Sequence, residues 1–512
     1  MRKPAMITKA FQWLKRHKAD AAITVVLLAA GGTVSAINMA GYPQRFEDEG
    51  TYISQAWSVK EEGALAHYTY WYDHPPVGWI QIAAYLVISN GLDRYGSAIT
   101  AGREFMLVMH LATIGLLYAL ARRLAIGRIS AAIGTLLYAL SPLSVEFSRY
   151  VLLDNVALPW LIGAFLLALS PRRSLLTAIG AAVCMAIAVM SKETLLVLLP
   201  VVLYGLWYTG DTRNRRYTLT AFSVVFGMIC AAYILYAALK NELFPGAGHV
   251  SLLGTLFWQL FGREGSGSII DPNSGTYGLV KYWLNIDYFL IAAGALGLLP
   301  SLFIRSLRSV GFALLISFAM LLRTGYLPFP YIIALLPFAA LCFAGAFDRL
   351  IIMPLTRRGV WIPFRLAAGI ALVELLIILV FIIAPMWQPK LATAMIVDAD
   401  ASSRQAVAWM AANIPRSSRL VVESGLWADL EERGFDQPKP VWLYKTETDP
   451  AVKSEIGGWQ GVDYIVLNGP TIGARNFDTS FPTVSTGIKN SKLATEFGSG
   501  NQKILIYRVD KN

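Results

Sequence analysis

Glu47-Asp48-Glu49-Gly50-Thr51-Tyr52 stands directly beyond an apolar run at 21–40 and ahead of Tyr72-Asp73-His74-Pro75-Pro76. An apolar run of that length is what a helix needs to cross ~30 Å of hydrocarbon, at ~20 residues per crossing. A carboxylate pair just past its end, followed by a histidine and two prolines, describes a reactive segment lying on a membrane surface.

The whole chain agrees with that start. Of its 512 residues 55% are hydrophobic and 15% charged, with a mean hydropathy of +0.51, so most of the chain belongs in lipid. Eleven runs can span: 21–40, 103–121, 129–145, 155–170, 175–190, 194–209, 217–239, 285–304, 309–322, 329–348 and 366–386. The shorter segment at 75–90, Val77 to Ser89, is assigned to the outer interface. Lys and Arg decide this, because cytoplasmic loops carry an excess of them. With a cytoplasmic N-terminus and no span at 75–90, the inner loops hold a basic series from Arg2 and Lys3 through Arg122, Arg123, Arg172, Arg215 and Arg308 to Arg365. Only Asp20, Asp211 and Asp348 oppose it there. A span at 75–90 would invert every later loop.

Residues 387–512 hold equal numbers of acids and bases, so the net charge of +11 belongs to residues 1–386. It lies mostly on the cytoplasmic rim, where anionic lipid attracts it. Nucleic acid is a poor explanation of that charge. Cys184, Cys230 and Cys342 fall inside spans, and no Asn-x-Ser/Thr sequon occurs, which favours a bacterial envelope. The N-terminus has a basic flank and no small-residue cleavage site, and reads as a retained helix. The expected organisation is a membrane domain at 1–386, with exterior loops at 41–102 and 240–282, followed by an exterior α/β domain at 387–512. In that domain Ala401–Asn413 and Leu426–Arg433 read as helices. Arg419–Glu423, Val441–Tyr444, Tyr464–Leu467 and Ile504–Val509 read as strands.

Charge at a membrane boundary is costly unless it is used or paired. Four polar clusters fall on the outer face under this topology. Besides Asp48, Glu49 and His74, these are Ser148-Arg149-Tyr150-Val151-Leu152-Leu153-Asp154-Asn155, Ser191-Lys192-Glu193-Thr194, and Arg323-Thr324-Gly325-Tyr326-Leu327-Pro328-Phe329-Pro330-Tyr331. Each has an ordinary explanation. Acids in a helix's first turn gain ~0.3–1 kcal/mol from the dipole alone. His-Pro-Pro breaks an interfacial segment, Tyr68, Tyr70, Trp71 and Tyr72 fit an aromatic belt, and Lys192 fits a headgroup contact at a tight hairpin. Their shared side is what points to chemistry: acids to activate a hydroxyl, and cations to hold a phosphate.

In this order the motifs resemble the membrane glycosyltransferases of the GT-C fold, in the branch of the protein O-mannosyltransferases and the lipid A aminoarabinose transferase. The resemblance covers residues 20–350. It implies an integral membrane enzyme that moves a hexosyl or pentosyl group from a polyprenyl-phosphate donor to a glycan, lipid or protein acceptor at the outer face, inverting the anomeric centre. It implies Asp48 as general base supported by Glu49, a donor phosphate held by Arg149, Lys192, His74 and Arg323, and a pocket completed by Tyr52, Asp154 and Tyr331. It places the chain in a bacterial cytoplasmic membrane. His74 stands where the aminoarabinose branch has Lys, which tilts away from lipid A. No cofactor is required by the pattern. A divalent metal would draw its ligands from His67, His74, His249, Asp48 and Asp154, whose spacing is not diagnostic. A multi-span transporter is the competing reading, but it should show two related halves with charge at midplane, and only Glu374 lies deep in a span. A scaffold that binds a partner through its C-terminal domain would not need Asp48, His74 and Arg149 together.

Overall fold

The computed structural model describes residues 18–66, 72–172, 174–210, 213–246, 250–356 and 362–511. Each of the eleven apolar runs falls on helix. The helices that position the site are α1 (Lys18–Ala36), α2 (Glu47–Glu61), α3 (Val77–Ser89), α4 (Ala98–Arg123), α5 (Arg128–Leu140), α6 (Pro142–Arg149), α7 (Leu153–Ala168) and α8 (Leu175–Ser191). They continue through α9 (Leu199–Thr209), α10 (Arg215–Leu239), α11 (Gly275–Phe303), α12 (Arg308–Leu321), α13 (Ile332–Phe347) and α14 (Ile362–Ile396). Among the described residues six helices are long and apolar enough to cross a membrane, seven if α5 and α6, bent by 56°, form one span. The runs at α7, α8, α9 and α12 make apolar helices too short for that test, so the span count of eleven is larger than helix length supports. Val77–Ser89 is a separate short helix, as the charge count expected.

Small residues let the helices close on one another, as they do where lipid supplies no hydrophobic drive. A Cβ at Gly297 of α11 would lie 2.5 Å from the Cys342 carbonyl carbon of α13, so only glycine fits there. At one end of the bundle Asp20 of α1 binds Arg122 and Arg128, each at 3.0 Å. Arg149, at the end of α6, lies near the other end of α1.

The C-terminal domain holds helices α15 (Ala401–Asn413) and α16 (Ser424–Glu431) on a five-stranded sheet of order β2-β1-β3-β5-β4. The strands are β1 (Leu420–Val422), β2 (Pro440–Trp442), β3 (Tyr464–Asn468), β4 (Ser491–Phe497) and β5 (Ile504–Val509). The first three are mutually parallel, and β5 and β4 run antiparallel to them. The domain is seated on α2. Arg45 binds Asp400 at 2.8 Å and Asp429 at 2.6 Å, Ser424 Oγ donates to the Glu47 carbonyl at 2.7 Å, and Trp57 Nε1 donates to Glu432 at 2.7 Å. A Cβ at Gly50 would lie 2.2 Å from the Gly425 nitrogen, so the two backbones touch at a pair of glycines.

Candidate active site

The first turn of α2 carries three successive acids with separate fates. Glu49 is fully buried and receives a two-pronged grip from Arg103 of α4, at 2.8 and 2.9 Å, plus the Val151 amide at 3.1 Å. Such bidentate pairs are strong and fix geometry. Asp48, one residue earlier, is half-buried and carries no hydrogen bond or ion pair. Glu47 faces the C-terminal domain, where burial, then Glu423 and Asp48, push its carboxyl up to about 7.

Around Asp48 the helix spacing gathers Thr51 and Tyr52 on one face. The Tyr52 hydroxyl lies 3.1 Å from His74 Nε2, and His74 Nδ1 lies 3.0 and 3.2 Å from the Glu193 carboxylate. With Nδ1–H donated to Glu193, Nε2 accepts from Tyr52; the acid thereby selects the tautomer. Lys192, buried at the end of α8, has its ammonium 3.7 Å from Asp154 and 5.9 Å from the Tyr52 ring centre. Asp154 Oδ2 is buried without a hydrogen bond. Tyr326 closes another side: the Arg263 guanidinium stacks 3.4 Å from its ring centre, and Asp48 and Lys192 both act on its hydroxyl. The two loops that bring them are tied together by Ser266, whose Oγ accepts from the Leu327 amide at 3.0 Å. From the C-terminal domain, Tyr444 hydrogen-bonds Thr51. The result is one free carboxylate facing a buried ammonium, a stacked guanidinium and several phenols.

Residues 73–261 match the family model of dolichyl-phosphate-mannose-protein mannosyltransferases. The solved structure of ArnT from Cupriavidus metallidurans bound to undecaprenyl phosphate superposes with a TM-score of 0.60 at 15% identity, over 96% of this chain and 98% of that one. The oligosaccharyltransferase AglB from Archaeoglobus fulgidus, in complex with an inhibitory peptide and a dolichol-phosphate, gives 0.57 at 13% identity, over 96% and 75%. The chain belongs to the GT-C fold superfamily. No curated protein matches it in sequence.

Within this GT-C chain the sequence motifs converge only in part. Asp48, Tyr52, His74, Asp154 and Lys192 come together as expected. Arg149 does not join them. Its five N–H groups donate to the carbonyls of Val34, Ser35, Ile37, Tyr42 and Ala394 at 2.7–3.4 Å, which leaves no fork for a phosphate. It caps the C-terminal end of α1, where a cation suits the helix dipole. Arg323 is exposed and donates to the Tyr326 carbonyl at 2.9 Å, and Tyr331 turns to the Ser317 carbonyl of α12 at 3.1 Å. Glu49 is committed to Arg103. His67, His249, Tyr68, Tyr70 and Trp71 lie outside the described residues. Among the described residues no three His, Cys, Asp or Glu meet as a metal site, so His74, Asp48 and Asp154 do not form one between them. Sequence reasoning missed Glu193, Arg263, Tyr326 and Tyr444. Glu193 lay inside a quoted motif, and Arg263 in a Gly-rich loop that carried no pattern.

Proposed function

We propose that the chain transfers one sugar from a polyprenyl-phosphate donor to an acceptor hydroxyl at the outer face of a bacterial cytoplasmic membrane. The observation that carries this is the division of labour in one helical turn: Glu49 is locked to Arg103, while Asp48 is uncommitted beside Lys192 and Tyr52. Asp48 takes the acceptor proton as the hydroxyl oxygen bonds to the anomeric carbon. The bond from that carbon to the phosphate oxygen breaks, and polyprenyl phosphate leaves with the extra negative charge. Attack opposite the leaving group inverts the centre. General-base help of this kind is worth ~10²–10⁴-fold. Lys192 and Arg263 stand where they can meet the growing phosphate charge, and Arg suits it through its planar fork. His74, held by Glu193, orients Tyr52 toward the same region. The family description and the lipid phosphate bound by the ArnT structure support the choice of donor class.

The test is mass spectrometry of envelope glycoconjugates and polyprenyl-phosphate sugars in a deletion strain. One product should vanish while its donor accumulates. Unchanged products and donors would end the glycosyl-transfer reading.

A further inference from the structure

A cavity of about 330 Å³ lies between the first turn of α2 and the C-terminal domain. We propose that this cavity is the acceptor subsite and that its occupant is an uncharged glycan; the inference rests on the glycosyl-transfer reading above. Three features of the cavity lead there. The first is its place in the fold. Glu423 follows β1, and Asn468 ends β3, so two adjacent parallel strands deliver their carboxyl ends to it. In open α/β sheets ligands settle outside those ends. The opposite wall is Glu47, the residue before Asp48, so an acceptor held here has a hydroxyl within one helical turn of the base.

The second is the lining. Gln44, Glu47, Ser403, Glu423, Asn468 and Thr471 offer carboxylate, amide and hydroxyl groups, while Phe46, Leu426 and Ile504 give an apolar wall. A sugar presents both kinds of surface, a rim of hydroxyls and flat C–H faces. The polar groups are already organised. Glu423 accepts from the Asn468 amide at 3.2 Å and from the Thr471 side chain, and Thr471 N donates to Asn468 Oδ1 at 2.7 Å. Burial raises Glu423, and Glu47 titrates near 7, so both can donate as well as accept near neutral pH.

The third is charge. Arg45 is the only cation among the described lining residues, and Asp400, Asp429 and the Gly425 carbonyl hold it. Two carboxylates with no available cation repel a phosphate-bearing acceptor, which is a form of selection by unpaired charge.

The experiment uses the full-length protein in lipid nanodiscs and the labelled polyprenyl-phosphate sugar that accumulates in the deletion strain. Acceptors are the neutral glycan, protein and phospholipid or phosphoglycolipid fractions of that strain's envelope. Label should enter the neutral glycan fraction. Label in protein or in a phosphate-bearing lipid overturns the inference while leaving sugar transfer intact; no label anywhere overturns both. With the receiving fraction, Glu423→Gln and Thr471→Val should each raise the acceptor KM at least tenfold, with donor KM within threefold and kcat little changed. Glu432→Gln, a docking contact outside the cavity, should leave all three constants within twofold. An acceptor KM unmoved in Glu423→Gln and in Thr471→Val would contradict the assignment.

Discussion

At the residue scale the site turns on which charges are already engaged. Glu49 and Arg103 are both wholly buried, so removing one charge strands the other, a loss of roughly 3–5 kcal/mol for pairs of this kind. Glu49→Gln is therefore expected to fall in thermal stability, and a well-folded variant with unchanged melting would show the pair to be dispensable. Arg149→Lys should behave likewise. One ammonium cannot reach five carbonyls, so melting temperature drops while the donor KM stays within threefold. A tenfold rise in donor KM at unchanged stability would return Arg149 to the phosphate. The sequence put Arg149 on the correct boundary and could not show where its side chain turns. Its partners at Val34 to Ile37 are more than a hundred positions away, and nothing in Ser-Arg-Tyr-Val-Leu-Leu-Asp-Asn encodes them. Asp48 was legible for the opposite reason: it sits in a helix's first turn, where position alone sets exposure and dipole.

At the scale of elements, α2 is both the catalytic helix and the seat of the C-terminal domain. Glu47 couples the two roles. Its carboxyl titrates near 7 in the folded protein and near 4.5 when unperturbed, so the folded state binds the proton more tightly. Stability should then be highest below the ordinary carboxylate value and fall as pH rises through about 5 to 7, flattening above. Melting curves across pH 5–8 should show this slope, and Glu47→Gln should flatten it; a variant with the wild-type slope would place the titration elsewhere. The helices themselves were legible as apolar runs, and four strands as short apolar stretches. The fifth, Ser491–Phe497, was not. It is an edge strand with Lys492 and Glu496 and little alternation, as edges that resist aggregation are built. The first turns of α11 were missed because Lys281, Asn285 and Asp287 interrupt its apolar pattern. Inside the helix Asp287 is non-helical at a kink and takes bonds from Ser141 at 2.5 Å and Trp387 at 3.1 Å.

At the scale of the molecule the proposal needs Asp48, the loop at 240–282 and the C-terminal domain on one outer face. Single cysteines at Glu62, Ile270 and Pro450 should react with an impermeant thiol reagent in intact cells, and one at Asn214 should not. Labelling at 214 alone would invert the topology. Charge counting made sidedness legible, whereas the seat of the C-terminal domain on α2 was not, since contacts such as Gly50 with Gly425 depend on backbone approach that no local pattern records. The central claim, that Asp48 is the base for sugar transfer, is tested most directly by Asp48→Asn in purified full-length protein with the accumulated donor and its acceptor. The variant keeps the shape and loses the proton acceptor, so kcat should fall by at least ~10²-fold with melting temperature unchanged. Turnover within a few-fold of wild type in a well-folded variant would contradict the account and leave Asp48 a helix cap.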